Sequence, residues 1–306
     1  MFSTKKLYTN PLTFLMKILL VLMLLTLMGC QSKNYDLAYV TDRDNTLDIC
    51  ITNSENKEII NLTNSDITEY NLTWSKDGKE IFYTSYEKTR RKVKSVNISD
   101  KSIKVIINDS TIQSVNDVSK DNERMIISSS EHHKKGELYL YDIETNSKIR
   151  ITNNEFYEAG AKFSPDEKTV VVSIQTKVSD PTNHSGTAEI FEIKLSDLSL
   201  NRLTNLDGFN ALPEYSPDGE LITFHHCDNG KCDIMMMELD GLNLVNLTNG
   251  KDDNRWPRWS PDGKWISFTK TIDNNSDIYF ISKDGKRVKP IITTEFRDEI
   301  AIFKPK

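Results

Sequence analysis

Past residue 34 the apolar residues fall in short runs, many alternating with polar ones, and none sustains a helical period. Trp265-Ile-Ser-Phe and Leu221-Ile-Thr-Phe are typical of one strand type. A polar hairpin then leads to a second, such as Asp277-Ile-Tyr-Phe-Ile or Glu137-Leu-Tyr-Leu-Tyr. A turn such as Lys283-Asp-Gly or Asp240-Gly leads to a last strand that ends in Leu-Thr-Asn or a close variant. Strand-length runs bounded by Asp, Asn and Gly at near-even spacing predict an all-β repeat.

An anchor sets the period. Its copies are Trp74-Ser-Lys-Asp-Gly, Val118-Ser-Lys-Asp-Asn, Phe163-Ser-Pro-Asp, Tyr215-Ser-Pro-Asp-Gly and Trp259-Ser-Pro-Asp-Gly-Lys, spaced by 44, 45, 52 and 44 residues. Ten positions before each stands Asn64, Asn108, Asn153, Asn205 and Asn249, and twelve before stands Leu62, Ile106, Ile151, Leu203 and Leu247. A period in the mid-forties is that of propeller blades, whose sheets must stack because none buries both its faces alone. Ile302-Phe303 follows Trp259 by 303 − 259 = 44, so the last strand is expected to complete the first unit. The expectation is an all-β, six-bladed β-propeller of four-stranded blades over residues 35–306, closed by the C-terminal strand completing blade one.

The first thirty residues differ in kind. Lys5, Lys6 and Lys17 stand there without an acid, and Ile18–Gly29 runs without a charge for 12 residues. Twelve residues of helix span about 18 Å, short of the roughly 30 Å hydrocarbon core. A basic start, a short apolar core and small residues form the layout of a secretory signal, expected over residues 1–29. Leu27-Met28-Gly29-Cys30 resembles a bacterial lipobox, which implies cleavage before Cys30, a lipid such as palmitate on its sulfur, and a short linker at 30–34. The chain is then expected outside the cytoplasm, anchored to a bacterial membrane. Without the leader, 36 basic residues face 45 acidic ones. That balance argues against nucleic acid, whose binding needs clustered cations against phosphate.

With these motifs in view, the chain resembles the propeller of the TolB family, whose blades carry the aromatic-Ser-Pro-Asp-Gly-Lys repeat seen at 215–219 and 259–264. The same repeat occurs in propellers attached to prolyl-oligopeptidase-type peptidases. The resemblance covers roughly residues 35–306. TolB carries a separate α/β domain before its propeller, whereas only a few residues lie here between Cys30 and the first unit. No Gly-x-Ser-x-Gly nucleophile motif is present.

Candidate chemistry gathers in columns. Five positions before each anchor stand Glu69, Gln113, Glu158, Asn210, Asn254 and Asp298, which repetition is expected to ring one mouth of the central channel. Three carboxylates among them suit a cation, an amine or a peptide terminus; capping of their own strands is the plainer role. One position before each anchor, Thr73, Asp117, Lys162, Glu214, Arg258 and Ile302 suit a water-filled, internally paired channel. Arg255 and Trp256 beside Asn254 add a cation and an aromatic at the rim. Cys227 and Cys232 flank an Asn-Gly turn and read as a hairpin disulfide, with a zinc set alongside His225 or His226 as the weaker alternative. Lys88–Lys94 is a basic hairpin, and Ser179–Gly186 carries the extra residues of the longest repeat.

These features favour a lipid-anchored, extracytoplasmic propeller in the cell envelope, monomeric and non-catalytic, that binds a protein or peptide without cofactor or metal. The alternative is an envelope polysaccharide-binding protein or glycan-cleaving enzyme of lyase or glycosidase type, for which Glu69, Glu158 and Asp298 would have to converge.

Overall fold

The computed structural model describes residues 36–43, 46–53, 58–180, 185–250 and 252–306. The leader, Cys30 and its linker lie outside these residues, as do residues 181–184 of the long insertion. Among the described residues there is no α-helix, and hence none long and apolar enough to cross a membrane.

The strands fall on the short apolar runs noted above, some alternating and some, such as Asp298–Phe303, buried at every position, and they assemble into five sheets. The first contains Asp36–Thr41, Asp48–Asn53 and Ile59–Asn61, with Asp298–Phe303 hydrogen-bonded antiparallel to Asp36–Thr41, Leu37 opposite Phe303. The second runs Thr68–Trp74, Glu80–Glu87, Arg90–Asn97 and Ile103–Ile107, and the third Ile112–Val118, Arg124–Ser129, Glu137–Asp142 and Lys148–Arg150. The fourth sheet spans Glu158 to Asn246 in eight strands, and the fifth contains Asp253–Trp259, Trp265–Ile272, Asn275–Ser282 and Val288–Ile292.

The expectation of six separate four-stranded blades is therefore corrected: four sheets are four-stranded blades, and the remaining strands share one eight-stranded sheet. A single parallel bridge makes the join, Ala188 opposite Phe209, where the Ala188 N–H donates to the Gly208 carbonyl at 3.3 Å. At the position 44 residues later, 232 − 188, the Cys232 N–H donates instead to the Asp253 carboxylate at 3.0 Å. Phe209 stands where Asp253 stands in the next repeat, so no side-chain acceptor is offered and the backbone carbonyl serves. Gly208 is required where it stands, because at φ +94° a Cβ would meet the Cys227 carbonyl of the neighbouring strand at 2.4 Å.

Each sheet packs face to face on the next. Val40 and Ile49 of the first meet Trp74 and Tyr83 of the second, and Phe280 and Ile278 of the fifth return to Leu37 and Tyr39 of the first. Side chains such as Leu37, Ile49, Phe224 and Phe280 are fully buried, each worth roughly 1.5–3 kcal/mol. The Trp74 indole donates to the Ile302 carbonyl at 3.3 Å and ties the second sheet to the C-terminal strand.

The repeated Ser-x-Asp-Gly is a turn. Ser75 Oγ donates to Asp77 at 2.8 Å and accepts from the Glu80 N–H at 2.9 Å, a pattern repeated at Ser164–Asp166 and Ser260–Asp262. Hydrogen bonds from Lys79 and Ser75 hold Asp77 down at about 2. The Leu-Thr-Asn ending closes the other side. Thr248 Oγ1 and Asn246 Nδ2 donate to Asp233, at 2.6 and 2.9 Å, and Thr63 and Asn61 do the same to Asp48.

Candidate functional site

The strands that carry the anchors line the channel, and each slips register just before its anchor. The slips fall between Tyr70 and Thr73, Val115 and Asp117, Ala159 and Lys162, Ala211 and Glu214, and Arg255 and Arg258. These are β-bulges, which re-aim side chains by inserting a residue. Three positions before the anchor, Asn71, Gly160, Leu212, Trp256 and Ile300 adopt φ between +54° and +66°. That region is costly for a β-branched or bulky side chain, about 1–3 kcal/mol. Gly160 is required where it stands, since a Cβ would lie 2.7 Å from the Leu212 Cα of the adjacent inner strand.

The bulged wall encloses a cavity of about 810 Å³, inside the usual range of ligand clefts. Aromatic side chains surround it: Tyr70, Tyr86, Tyr157, Phe209 and Trp256. Asn71, Asn116 and Ser128 supply neutral polar groups, and Arg91, Lys162, Arg255 and Arg258 supply positive charge. The Arg91 guanidinium lies 4.7 Å over the Tyr86 ring and donates to the Gln113 carbonyl at 3.1 Å. The Arg255 Nε–H is shared between the two carboxylate oxygens of Asp253, each at 2.9 Å. His225 is buried and faces the cavity, with Nδ1 accepting from the Trp256 N–H at 3.5 Å. Burial, reinforced by Arg255 and Arg258, pushes its imidazole down to about 3, so the ring is neutral.

At its inner end the channel narrows onto the ring one position before the anchors. A second cavity beyond it holds only about 90 Å³. Lys162 lies 3.6 Å from Asp117, which accepts from Thr73 Oγ1 at 3.3 Å and from the Phe163 N–H of the next repeat at 3.1 Å. Glu214 accepts from the Trp259 N–H at 2.8 Å in the same way. Burial pushes Asp117 up, but Lys162, Lys76 and the Val118 and Phe163 amides outweigh it and hold the carboxyl low. Burial pushes the Lys162 ammonium down and Glu214 up, each against the pull of the opposite charges around it.

The column five before the anchors divides. Of its six members only Gln113 and Glu158 line the wide cavity, beside Arg255 and Trp256, whereas Glu69, Asn210, Asn254 and Asp298 are not among its lining residues. Each of those four is almost wholly buried and engaged nearby. Ser65 donates to Glu69 at 3.0 Å, Thr294 to Asp298 at 2.6 Å, Asn210 Nδ2 to the Ala188 carbonyl at 2.9 Å, and Asn254 Nδ2 to the Asp252 carbonyl at 3.2 Å. Glu158 accepts from Thr152 at 2.7 Å and Asn154 at 2.5 Å, and Gln113 donates to the Lys134 carbonyl at 3.1 Å. Burial pushes Glu69 and Glu158 each up to about 7 and raises Asp298. The three carboxylates do not converge on one point. Of the residues that do surround the cavity, Tyr70 and Tyr157 stand one position to either side of the column, and Tyr86 and Arg91 belong to the hairpin between the next two strands, which a column along the inner strands does not sample.

Cys227 and Cys232 are joined by a disulfide across their hairpin, and Cys50 is buried. With both sulfurs in that bond, the zinc alternative has no thiolate. Among the described residues no group of His, Cys, Asp and Glu is arranged to hold a metal. In the basic hairpin, Lys92 and Lys94 pair with Glu87 at 2.6 and 3.0 Å, and Arg91 turns to the cavity.

Fold and site together define a closed-ring propeller with a ligand-sized cavity at one mouth and a charged constriction behind it. Residues 32–301 match the TolB β-propeller domain, and the chain belongs to that family. TolB from Acinetobacter baumannii superposes with a TM-score of 0.79 at 22% identity, over 94% of this chain and 70% of that one. A TolB-named protein from Agrobacterium tumefaciens gives 0.70 at 17%, over 89% and 99%. The oligogalacturonate lyase of Vibrio parahaemolyticus gives 0.58 at 15%, over 80% and 72%. At these identities the shared property is the fold.

Proposed function

We propose that this protein is a non-catalytic receptor for a protein or peptide segment in the cell envelope, held on a membrane from outside the cytoplasm by lipid on Cys30. The observation that carries the reading is the wide cavity, whose aromatic rings, amide side chains and cations form the composition that anchors peptide segments. Membership of the TolB family supports the envelope as its location. The glycan-cleaving reading has weaker support, because Glu69 and Asp298 are engaged away from the cavity and do not supply Glu158 with a partner acid.

The test is cross-linking in native membranes, followed by mild extraction and identification of what co-purifies at near-stoichiometric yield. One envelope protein is expected, lost when Arg91, Tyr157 and Trp256 are changed and retained when Lys104, on an outer strand, is changed. Turnover of a substrate by the purified protein, or a partner indifferent to the cavity substitutions, would overturn the reading. For the anchor, Cys30→Ser is expected to release the protein from the membrane fraction and abolish palmitate labelling.

A further inference from the structure

The buried charge ring is polarised along the channel. Lys162 and Arg258 border both the wide and the narrow cavity, while Asp117 and Glu214 border the narrow one alone. The wide cavity therefore meets the two cations of the ring without its acids, which face the narrow side, where Lys76 also lies 3.5 Å from Asp117. The other charges lining the wide cavity do not cancel those two cations. Arg91 adds a cation on the wall and, among the described residues, has no ion-pair partner, resting instead on Tyr86. Arg255 is neutralised by Asp253. Of the two lining acids, Glu158 is buried and occupied by Thr152 and Asn154, and Asp228 belongs to the hairpin at the rim. Arg258 is itself more than nine-tenths buried. Its Nε–H has no hydrogen-bond partner among the described residues, and one terminal nitrogen donates to the Pro257 carbonyl at 2.8 Å. A buried guanidinium short of acceptors is a costly arrangement that an incoming anion relieves. The formal charge of the whole chain is −6, so this cavity is a positive recess in an acidic protein.

We infer that the inner end of the wide cavity is a carboxylate site: Lys162 and Arg258 receive one acidic group of an extended peptide, while the aromatic wall holds the residues that precede or follow it. The inference rests on the peptide-receptor reading and adds the chemistry the ligand must carry. A carboxylate reaches the ring from an Asp or Glu side chain or from a free C-terminus.

Two randomised heptapeptide libraries, both N-acetylated, one C-amidated and one with free C-termini, are passed over the immobilised mature chain and the retained peptides sequenced. Acidic residues enriched at one position of the amidated library by about tenfold, the effect of one charge-assisted hydrogen bond, identify a side-chain carboxylate. Retention confined to the free-acid library identifies a terminal one, and either result supports the site. The enrichment is expected to vanish in the Lys162→Met/Asp117→Asn pair, which keeps the ring neutral; the wild-type comparison decides the matter even if that variant fails to fold. Peptides retained without acidic preference overturn the carboxylate site and leave the receptor reading standing. If neither library is retained, both fall, and trigalacturonate binding by calorimetry in that case would assign the positive recess to polyuronides.

Discussion

The two ends of the channel come from the same repeated strands and end in opposite states. At the wide end, residues three and four before the anchors, freed by the bulge, leave a recess of about 810 Å³. At the narrow end, residues one before the anchors close around the buried Lys162–Asp117 pair and the charges of Glu214 and Arg258, leaving about 90 Å³. One slipped residue per strand separates a surface available to a ligand from one spent on holding the ring together. Substitutions should therefore sort by which void they border: Asp117 and Glu214, on the narrow end alone, lowering stability, the aromatic wall of the wide end lowering binding, and Lys162 and Arg258, which border both, lowering each.

The largest effect is expected at the narrow end. Asp117→Ala removes the carboxylate that faces Lys162 and caps the Phe163 N–H, leaving the buried ammonium with only the Asn116 carbonyl at 2.8 Å and the charge of Glu214. Breaking such a pair costs about 3–5 kcal/mol, measurable as a lower urea midpoint with an unchanged slope. A change below about 1 kcal/mol would show that the ring is not structural.

Next comes the pH dependence. Glu69 and Glu158 are pushed from the ordinary 4.5 up to about 7 by burial, so between those values the folded chain holds protons that the unfolded chain has lost. Their contribution to stability therefore falls as pH rises from about 4.5 through about 7. Glu158→Gln should flatten that slope, and an unchanged slope in chemical unfolding at pH 5 and pH 8 would contradict the assignment. A smaller effect is expected from opening the hairpin that borders the wide cavity. The Cys227→Ser/Cys232→Ser pair frees a short loop, worth about 2 kcal/mol or less, and should loosen ligand binding more visibly than it lowers the midpoint. The smallest stability effect belongs to Arg91→Ala. Arg91 is exposed, so stability should stay within about 0.5 kcal/mol while partner retention drops.

The division between the ends also marks what could be read in advance. Anchor spacing, the Asn and Leu columns and the Ser-x-Asp-Gly turns are local patterns repeated several times, which is why the propeller family was legible. The sheet count was not, because it turned on a single exchange: where Asp253 offers a carboxylate to Cys232, Phe209 offers none to Ala188, and the backbone bridges two repeats. The site was half legible. Glu69, Asn210, Asn254 and Asp298 have the right side-chain chemistry, but each is buried against neighbouring groups instead of facing the cavity, which repetition alone does not reveal. The bulges at positions such as Leu212 and Ile300 place left-handed backbone under residues that rarely adopt it, and no propensity argument finds them. Lys162 and Arg258 were legible as a mixed-charge column. That their positive side faces the wide cavity depends on which neighbours border which void, a fact of three-dimensional packing.

The most direct test of the contrast is photo-cross-linking in intact cells from a benzoylphenylalanine placed either at Tyr157, on the wide cavity, or at Lys76, on the narrow one. The account predicts an adduct with the same envelope partner from position 157 and none from position 76. An adduct from position 76 with none from position 157 would contradict it and make the narrow end the docking face.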